Sequence, residues 1–311
     1  MLEEKKLELL PELFEPAQNN FEGTEDIKRP SLTYWQDAWQ RLRKNKLAIA
    51  GLGIIILLVL MALIGPYLNH YTYFEQDFNK KNMEPNSEHW FGTDSFGRDI
   101  FTRAWYGARI SILIGILAAL IDFAIGVVYG GVSALKGGQV DNIMMRIAEI
   151  LYSLPYLLVV ILLMVILPRG LFPVILAISI TGWLRMARIV RGQVLQLKEM
   201  EFVHAAEAMG ASTGWILKKH MIPNTMGPIL VNMTLSVPSA IFAEATLSFL
   251  GLGVQAPMAS WGSMANDALT AFVIGDTYQL FIPAFLISLI MFAFNVLGDG
   301  LRDALDPRLR K

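Results

Sequence analysis

IVRGQVLQLKEMEFVHAAEAMGASTGWILKKHMIPN, Ile189 to Asn224, is a polar run set between two strongly apolar stretches. A connection between neighbouring helices usually needs only a few residues. This one carries helix-forming residues, a central Gly210, the basic cluster Lys218-Lys219-His220, and Pro223-Asn224 before hydrophobicity resumes. So long, helical and basic a segment reads either as a docking surface or as an amphipathic helix lying on the protein's own face. Its flanks decide the fold class, because each is an apolar stretch of about membrane-span length.

The same pattern extends in both directions. Of 311 residues, 54% are hydrophobic and only 17% charged, where soluble domains carry roughly a quarter charged. The apolar residues gather in blocks of about 20, the length that crosses a ~30 Å hydrocarbon core. The chain is therefore expected to be all-α and polytopic, with six transmembrane helices. They are drawn as Leu47 to Leu68, Ala108 to Leu135, Ile147 to Leu167 (interrupted by Pro155), Leu171 to Ala187, Ile229 to Leu250 and Tyr278 to Leu297. Gly115, Gly126, Gly130 and Gly131 offer close helix approach in the second. The fourth is short, so a smaller number of spans also fits.

Lys and Arg are distributed unevenly between the loops. One side holds Arg41 to Lys46, Lys136, Arg146, Arg185, Arg188, Arg191, Lys198, Lys218, Lys219, Arg302, Arg308, Arg310 and Lys311. The other holds Lys80, Lys81, Arg98, Arg103 and Arg169, and its last loop, Gly251 to Thr277, has none. By the positive-inside rule both termini and the 188–224 loop face the cytosol. The acidic start, residues 1–34, reads as a polar cytosolic tail and not a cleavable signal. Segment 35–104 carries the first span and an outer loop, 105–305 the remaining spans, and 306–311 a basic cytosolic end.

Several chemistries are absent. No GxxxxGK[ST] loop exists to cradle nucleotide phosphates. The four histidines have no metal-ligand spacing and HExxH is missing, so no metal is expected. No GxSxG elbow appears, there is no cysteine, and the net charge of −1 marks no nucleic-acid surface. A catalytic role is not expected, and any transport work needs energy supplied from outside the chain. Asp122 and Glu244 fall inside spans, where charge is costly. They should face a cavity or another helix, either on a translocation path or as inter-helix hydrogen bonders. Arg146 and Glu149 are spaced to pair along one helical face.

Within the loop the spacing predicts a helix over Lys198 to Met209, with Met200, Val203, Ala206 and Met209 at three-residue steps. Gly210 ends it. Ser212 or Thr213 caps a second helix through Lys219, and Pro223 stops that one.

At this point the residues resemble a known family. His204-Ala205-Ala206-x3-Gly210-x9-His220-Met221-Ile222-Pro223 looks like the EAA loop of ABC-importer permeases. It departs from that pattern at His204, where Glu is usual, leaving Glu201 or Glu207 to supply a carboxylate. Phe91-Gly92-Thr93-Asp94-Ser95-Phe96-Gly97-Arg98-Asp99 is similar to the outer-face FGTDxxGRD element of peptide permeases. Its glycines and acidic residues suit tight turns, as a structural clip or in direct contact with substrate, and its outer position suits it to help receive the substrate-binding protein. Gly137-Gly138-x2-Asp141-x3-Met145-Arg146, Leu247 to Gly253 and Gly298 to Arg308 also match.

The whole looks like the C-type permease subunit of oligopeptide importers, in its Gram-positive form. The resemblance implies a type I ABC-importer permease fold, a second homologous permease chain, and two cytosolic ATPase subunits carrying ATP-Mg. It also implies an extracytoplasmic binding protein that delivers oligopeptide, and location in the bacterial plasma membrane. Dipeptide and nickel systems share these motifs. An ion-gradient-driven transporter using Asp122 and Glu244 is the alternative from another class.

Overall fold

The computed structural model describes residues 33–306 except Arg169. Most of the expected 1–34 tail and 306–311 end, together with Arg169, therefore lies outside the described residues. Thr33 is no tail residue: it caps a first helix, α1 (Tyr34–Lys44), in a reciprocal pair with Gln36. Asp37 in the first turn and Arg41, Arg43 and Lys44 in the last complement the helix dipole. Asn45 breaks the helix and caps α2 (Lys46–Ile64) by accepting from the Ala48 N–H at 3.1 Å.

Next come α3 (Ile100–Lys136), capped by Asp99, then α4 (Gly138–Ser153) and α5 (Tyr156–Ile166). The expected third span is not one rod. Pro155 has no N–H and holds Leu154 in extended conformation, and the two pieces meet at 85°. By itself α5, at 11 residues, spans ~16 Å, about half the hydrocarbon core. The fourth span is longer than its apolar core suggested: α6 runs Leu171–Lys198, because its basic second half continues the helix beyond Ala187.

The short helices α7 (Glu201–Ala208) and α8 (Thr213–Ile216) make up the loop. A wide π turn over Leu217–Met221 then leads without a break into α9 (Ile222–Phe249). Here the expectation for Pro223 fails. Pro223 lacks the N–H of a regular helical bond, but it follows directly on the wide π turn, where the regular ladder is already interrupted, and the helix runs on through it. The far side of α9 carries α10 (Trp261–Asp267) and α11 (Leu269–Val273), and α12 (Tyr278–Leu305) closes the chain.

Five stretches are long and apolar enough to cross a membrane: Lys46–Tyr67, Ile100–Lys136, Leu171–Lys198, Thr213–Phe249 and Tyr278–Leu305. The bent α4–α5 pair makes a sixth if counted as one span. Packing centres on α3, which lies against α6 and α9, while α12 packs on α2 and α9. The α3–α6 crossing is close: a Cβ on Gly130 would lie 2.2 Å from the Ala187 carbonyl oxygen. Gly115 and Gly126 are similarly tight against Ile241 and Met186, whereas Gly131 is in ordinary contact.

The two ends of the bundle differ. At one, segments 65–99 and 250–277 meet, Arg98 donating to Asp267 at 2.7 Å; there too the Tyr278 hydroxyl of α12 donates to the Met83 carbonyl and the Trp261 indole to Ala104 of α3, each at 2.9 Å. At the other lie α1, the end of α12 and the α7–α8 loop.

Candidate functional site: the α7–α8 loop and the polar groups of the bundle

The loop is built as two faces. Val203, Ala206, Ile216 and Met221 are buried against Val190 and Val194 of α6 and Val127 and Ala134 of α3. The three-residue apolar series is thus only half correct. Val203 and Ala206 point inward, but Met200 and Met209 point out, Met209 being 81% exposed, because α7 begins only at Glu201 and is too short to carry the stripe. The turn after α7 is a Schellman closure. Ala211 N–H donates to Ala206 O at 3.0 Å, and Gly210 N–H to Glu207 O at 2.9 Å. Gly210 takes the left-handed conformation this needs, at φ 83°. Ser212 then accepts from the Trp215 N–H and caps α8.

Of the residues picked from sequence, Glu201, His204, Ala205, Glu207, Gly210 and Pro223 are exposed, while Ala206 is committed to the core. His204 Nδ1 stands 3.7 Å from Glu207. His220 is half-buried between Trp215 and Phe202, with ring centroids 5.0 and 6.2 Å away. Sequence reasoning missed the outward apolar residues Phe202, Met209 and Trp215, all large and exposed. Their signal was present, since large apolar side chains in a basic loop have no reason to be there unless something covers them.

The loop is tied to the bundle by charge as well. Arg191 of α6 donates to both oxygens of Asp141 on α4, at 2.6 and 2.5 Å, and Ser133 of α3 donates to the same carboxylate. This gives Gly137-Gly138-x2-Asp141 a physical purpose: the turn delivers Asp141 to Arg191, about two turns before α6 ends and the α7–α8 loop begins. The expected Arg146–Glu149 pair forms at 3.1 Å on an exposed face.

At the opposite end, Gly92 to Asp99 folds into a clip. Asp94 accepts from the Phe96 and Arg98 N–H groups and from Arg98 Nε at 2.6 Å. Arg98 and Arg103 both reach Asp267 of α10, at 2.7 and 3.1 Å. Asp99 takes no part in that network. It caps α3 through the Thr102 N–H at 2.7 Å and accepts from Asn69 and His89, each at 2.9 Å. Asp94, Arg98, Asp99 and Arg103 are buried and each is paired, with Asp267 partly exposed at the edge, which supports the clip reading of the element. Its long-range partner Asp267 carried no sequence signal.

Glu244 is completely buried on α9. It accepts from Ser111 of α3 at 3.1 Å and from Ser248 at 2.6 Å, and Ser111 in turn accepts from the Trp261 N–H at 3.1 Å. It therefore joins α3, α9 and α10. Asp122 lies elsewhere, pressed against Gly182 of α6, where a Cβ would fall 2.2 Å from Oδ2. Eleven residues of helix separate Asp122 from Ser111, a rise of ~16 Å, so the two carboxyl groups form no common site. Among the described residues no cluster suits a metal ion.

A bundle of spanning helices with a helical loop clamped at one end and a charged clip at the other is the fold of an ABC-importer permease. It resembles the solved inward-facing methionine ABC transporter MetNI, with a TM-score of 0.55 at 17% identity, over 66% of this chain and 96% of that one. The chain belongs to the family described as binding-protein-dependent transport system inner membrane component, whose model matches residues 111–311. Residues 33–85 match the N-terminal TM domain of oligopeptide transport permease C. It is 60% identical to the dipeptide transport system permease protein DppC of Bacillus subtilis over 96% of this chain and 94% of that protein. Identity to the oligopeptide transport system permease protein OppC of the same organism is 57%, over 96% and 98%. The OppC of Escherichia coli strain K12 is 41% identical over 94% and 96%. The chain is thus a multi-span membrane component of a transport system.

Proposed function

We propose that this chain is one permease subunit of an ATP-driven importer for short peptides. It pairs with a second, homologous permease chain, receives peptide from an extracytoplasmic binding protein, and takes its energy from two cytosolic ATPase subunits that hold ATP-Mg. Both termini and the α7–α8 loop face the cytosol, in keeping with the Lys and Arg distribution. One observation carries the reading: the loop fixes its inner face to α3 and α6 while presenting Phe202, Met209 and Trp215 outward, as anchors for a groove in the ATPase. ATP binding moves the docked loop, and α6 and α9 follow because the loop is continuous with both. The coupling works only through contacts that differ between the two states. The usual Glu at position 204 is not needed, because docking rests on shape and apolar contact. The peptide cargo follows the names of the relatives.

The test is co-purification of the ATPase subunits with a Met209→Glu/Trp215→Glu variant. Both side chains are exposed, so membrane insertion should stay intact while the ATPases are lost. Full recovery of the ATPases with this variant would end the docking proposal. Uptake by vesicles containing this chain alone would instead favour an ion-driven transporter.

A further inference from the structure

We infer that α1 is a binding surface for anionic phospholipid headgroups at the inner end of the first span. Trp35, Trp39 and Arg43 stand at four-residue steps on one face of α1, and all three are exposed. The opposite face is spoken for. Ala38 and Leu42 are buried, Leu42 packing with Ala48 and Ala304, and the Tyr34 hydroxyl donates to the Leu305 carbonyl at 3.3 Å. The helix is thereby fixed on the end of α12, and its Trp face cannot turn inward.

Its level relative to the bilayer is also set. Only Asn45 separates it from α2, whose first exposed apolar residues are Leu47 and Ile49. The hydrocarbon boundary therefore falls within one turn of Lys46, and the tryptophans stand at headgroup depth, where indole rings partition. The charge identifies the lipid. Asp37 is held by Arg41 at 3.1 Å, whereas Arg43, Lys44 and Lys46 make no ion pair among the described residues. A zwitterionic headgroup satisfies the indoles but leaves three cations unmatched; an anionic phosphate matches them. The inference rests on the chain crossing a membrane, and it is independent of what the chain transports.

The chain has no cysteine, so Trp39→Cys gives this chain a single site for a nitroxide, attached before it is assembled with its partners. The assembled transporter carrying this label is placed in vesicles of phosphatidylcholine alone, or of phosphatidylcholine mixed with phosphatidylglycerol. Collision with oxygen and with a water-soluble nickel chelate is then measured by electron paramagnetic resonance. The label should be reached by oxygen in preference to nickel, and more strongly so when phosphatidylglycerol is present. Adding Arg43→Gln, Lys44→Gln and Lys46→Gln should abolish that phosphatidylglycerol response, at about fivefold in lipid preference per charge. The exchange Arg43→Lys, Lys44→Arg, Lys46→Arg should keep it. A label open to nickel in both vesicles, or shielded from both reagents by protein, overturns the inference. So does a response that survives the three glutamines.

Discussion

Gly210→Ala isolates backbone handedness from every other property of the α7–α8 loop. The residue has φ 83°, and a Cβ placed there meets nothing within 4 Å. No clash arises, so the whole cost is that of an L-residue in the left-handed region, about 1–2 kcal/mol. That corresponds to roughly a 5–30-fold fall in the ratio of loops with the α7–α8 turn formed to loops without it. Asparagine tolerates this conformation, so Gly210→Asn should behave nearly as wild type. Two internal controls exist: Gly192 and Gly214 also have open space around them, but neither has positive φ. Alanine at those positions should be harmless, or should gain up to ~1 kcal/mol of helix propensity. The assay is uptake of a labelled peptide into proteoliposomes containing the complete transporter, read beside ATP hydrolysis and ATPase co-purification. Gly210→Ala should lower coupled uptake, by at most roughly 5–30-fold, without changing membrane insertion. Wild-type coupling by Gly210→Ala refutes the reasoning. Asparagine proving as harmful as alanine does so too, since a steric fit would then be at stake and not handedness.

The remaining predictions concern the bundle. Glu244→Gln should keep one accepted serine bond through its amide oxygen and donate to the other hydroxyl through its NH2, whereas Glu244→Ala should lose about 1–3 kcal/mol by leaving buried hydroxyls unpaired. Thermal melts of the purified transporter distinguish the two, and coincident melts would contradict the inter-helix account. Asp267→Asn removes the shared partner of Arg98 and Arg103. As Asp267 is partly exposed, the cost should be only ~1 kcal/mol, seen as earlier proteolysis of the 250–277 segment and reversed by Asp267→Glu. Gly130→Ala should cost about 1–3 kcal/mol by overpacking against the Ala187 carbonyl. Gly53→Ala, with nothing within 4 Å, should be neutral; equal melting temperatures would argue against a tight α3–α6 crossing.

The spans were legible because an apolar run of membrane length has few other meanings, and their ends were not. At Ile100 and at Lys198 the helices run on past their apolar cores, since backbone hydrogen bonding continues where hydropathy stops. Helix α1 escaped notice because it is short and mixed in polarity; only the Thr33-x2-Gln36 cap and the Trp35, Trp39 spacing marked it. At Pro155 the sequence showed an interruption, but the 85° bend depends on what α4 and α5 pack against. In the loop, Gly210 and Ser212 acted as expected because caps are local. Which of Met200, Val203, Ala206 and Met209 face inward was decided by α6. Likewise Asp99 and Arg98 looked like neighbours on one clip, yet the partners that separate them, His89 and Asp267, are remote in sequence or carry no local pattern.

The wide turn over Leu217–Met221 bears on mechanism through register. Its signature bond runs from the Ile222 N–H back to Leu217 O, five residues apart, one more than an α-helix allows. It thus houses one surplus residue in a helix that runs unbroken from Thr213 to Phe249. One residue of α-helix is about 100° of rotation. Removing that residue would leave α7 seated as before while turning all of α9 about its own axis. Glu244 would swing away from Ser111, and Ile241 away from Gly115. The surplus residue therefore acts as the phase setting of a shaft: it fixes which side of α9 meets α3 for a given position of the loop. A one-residue slip in that turn would be felt along α9 as rotation about its own axis.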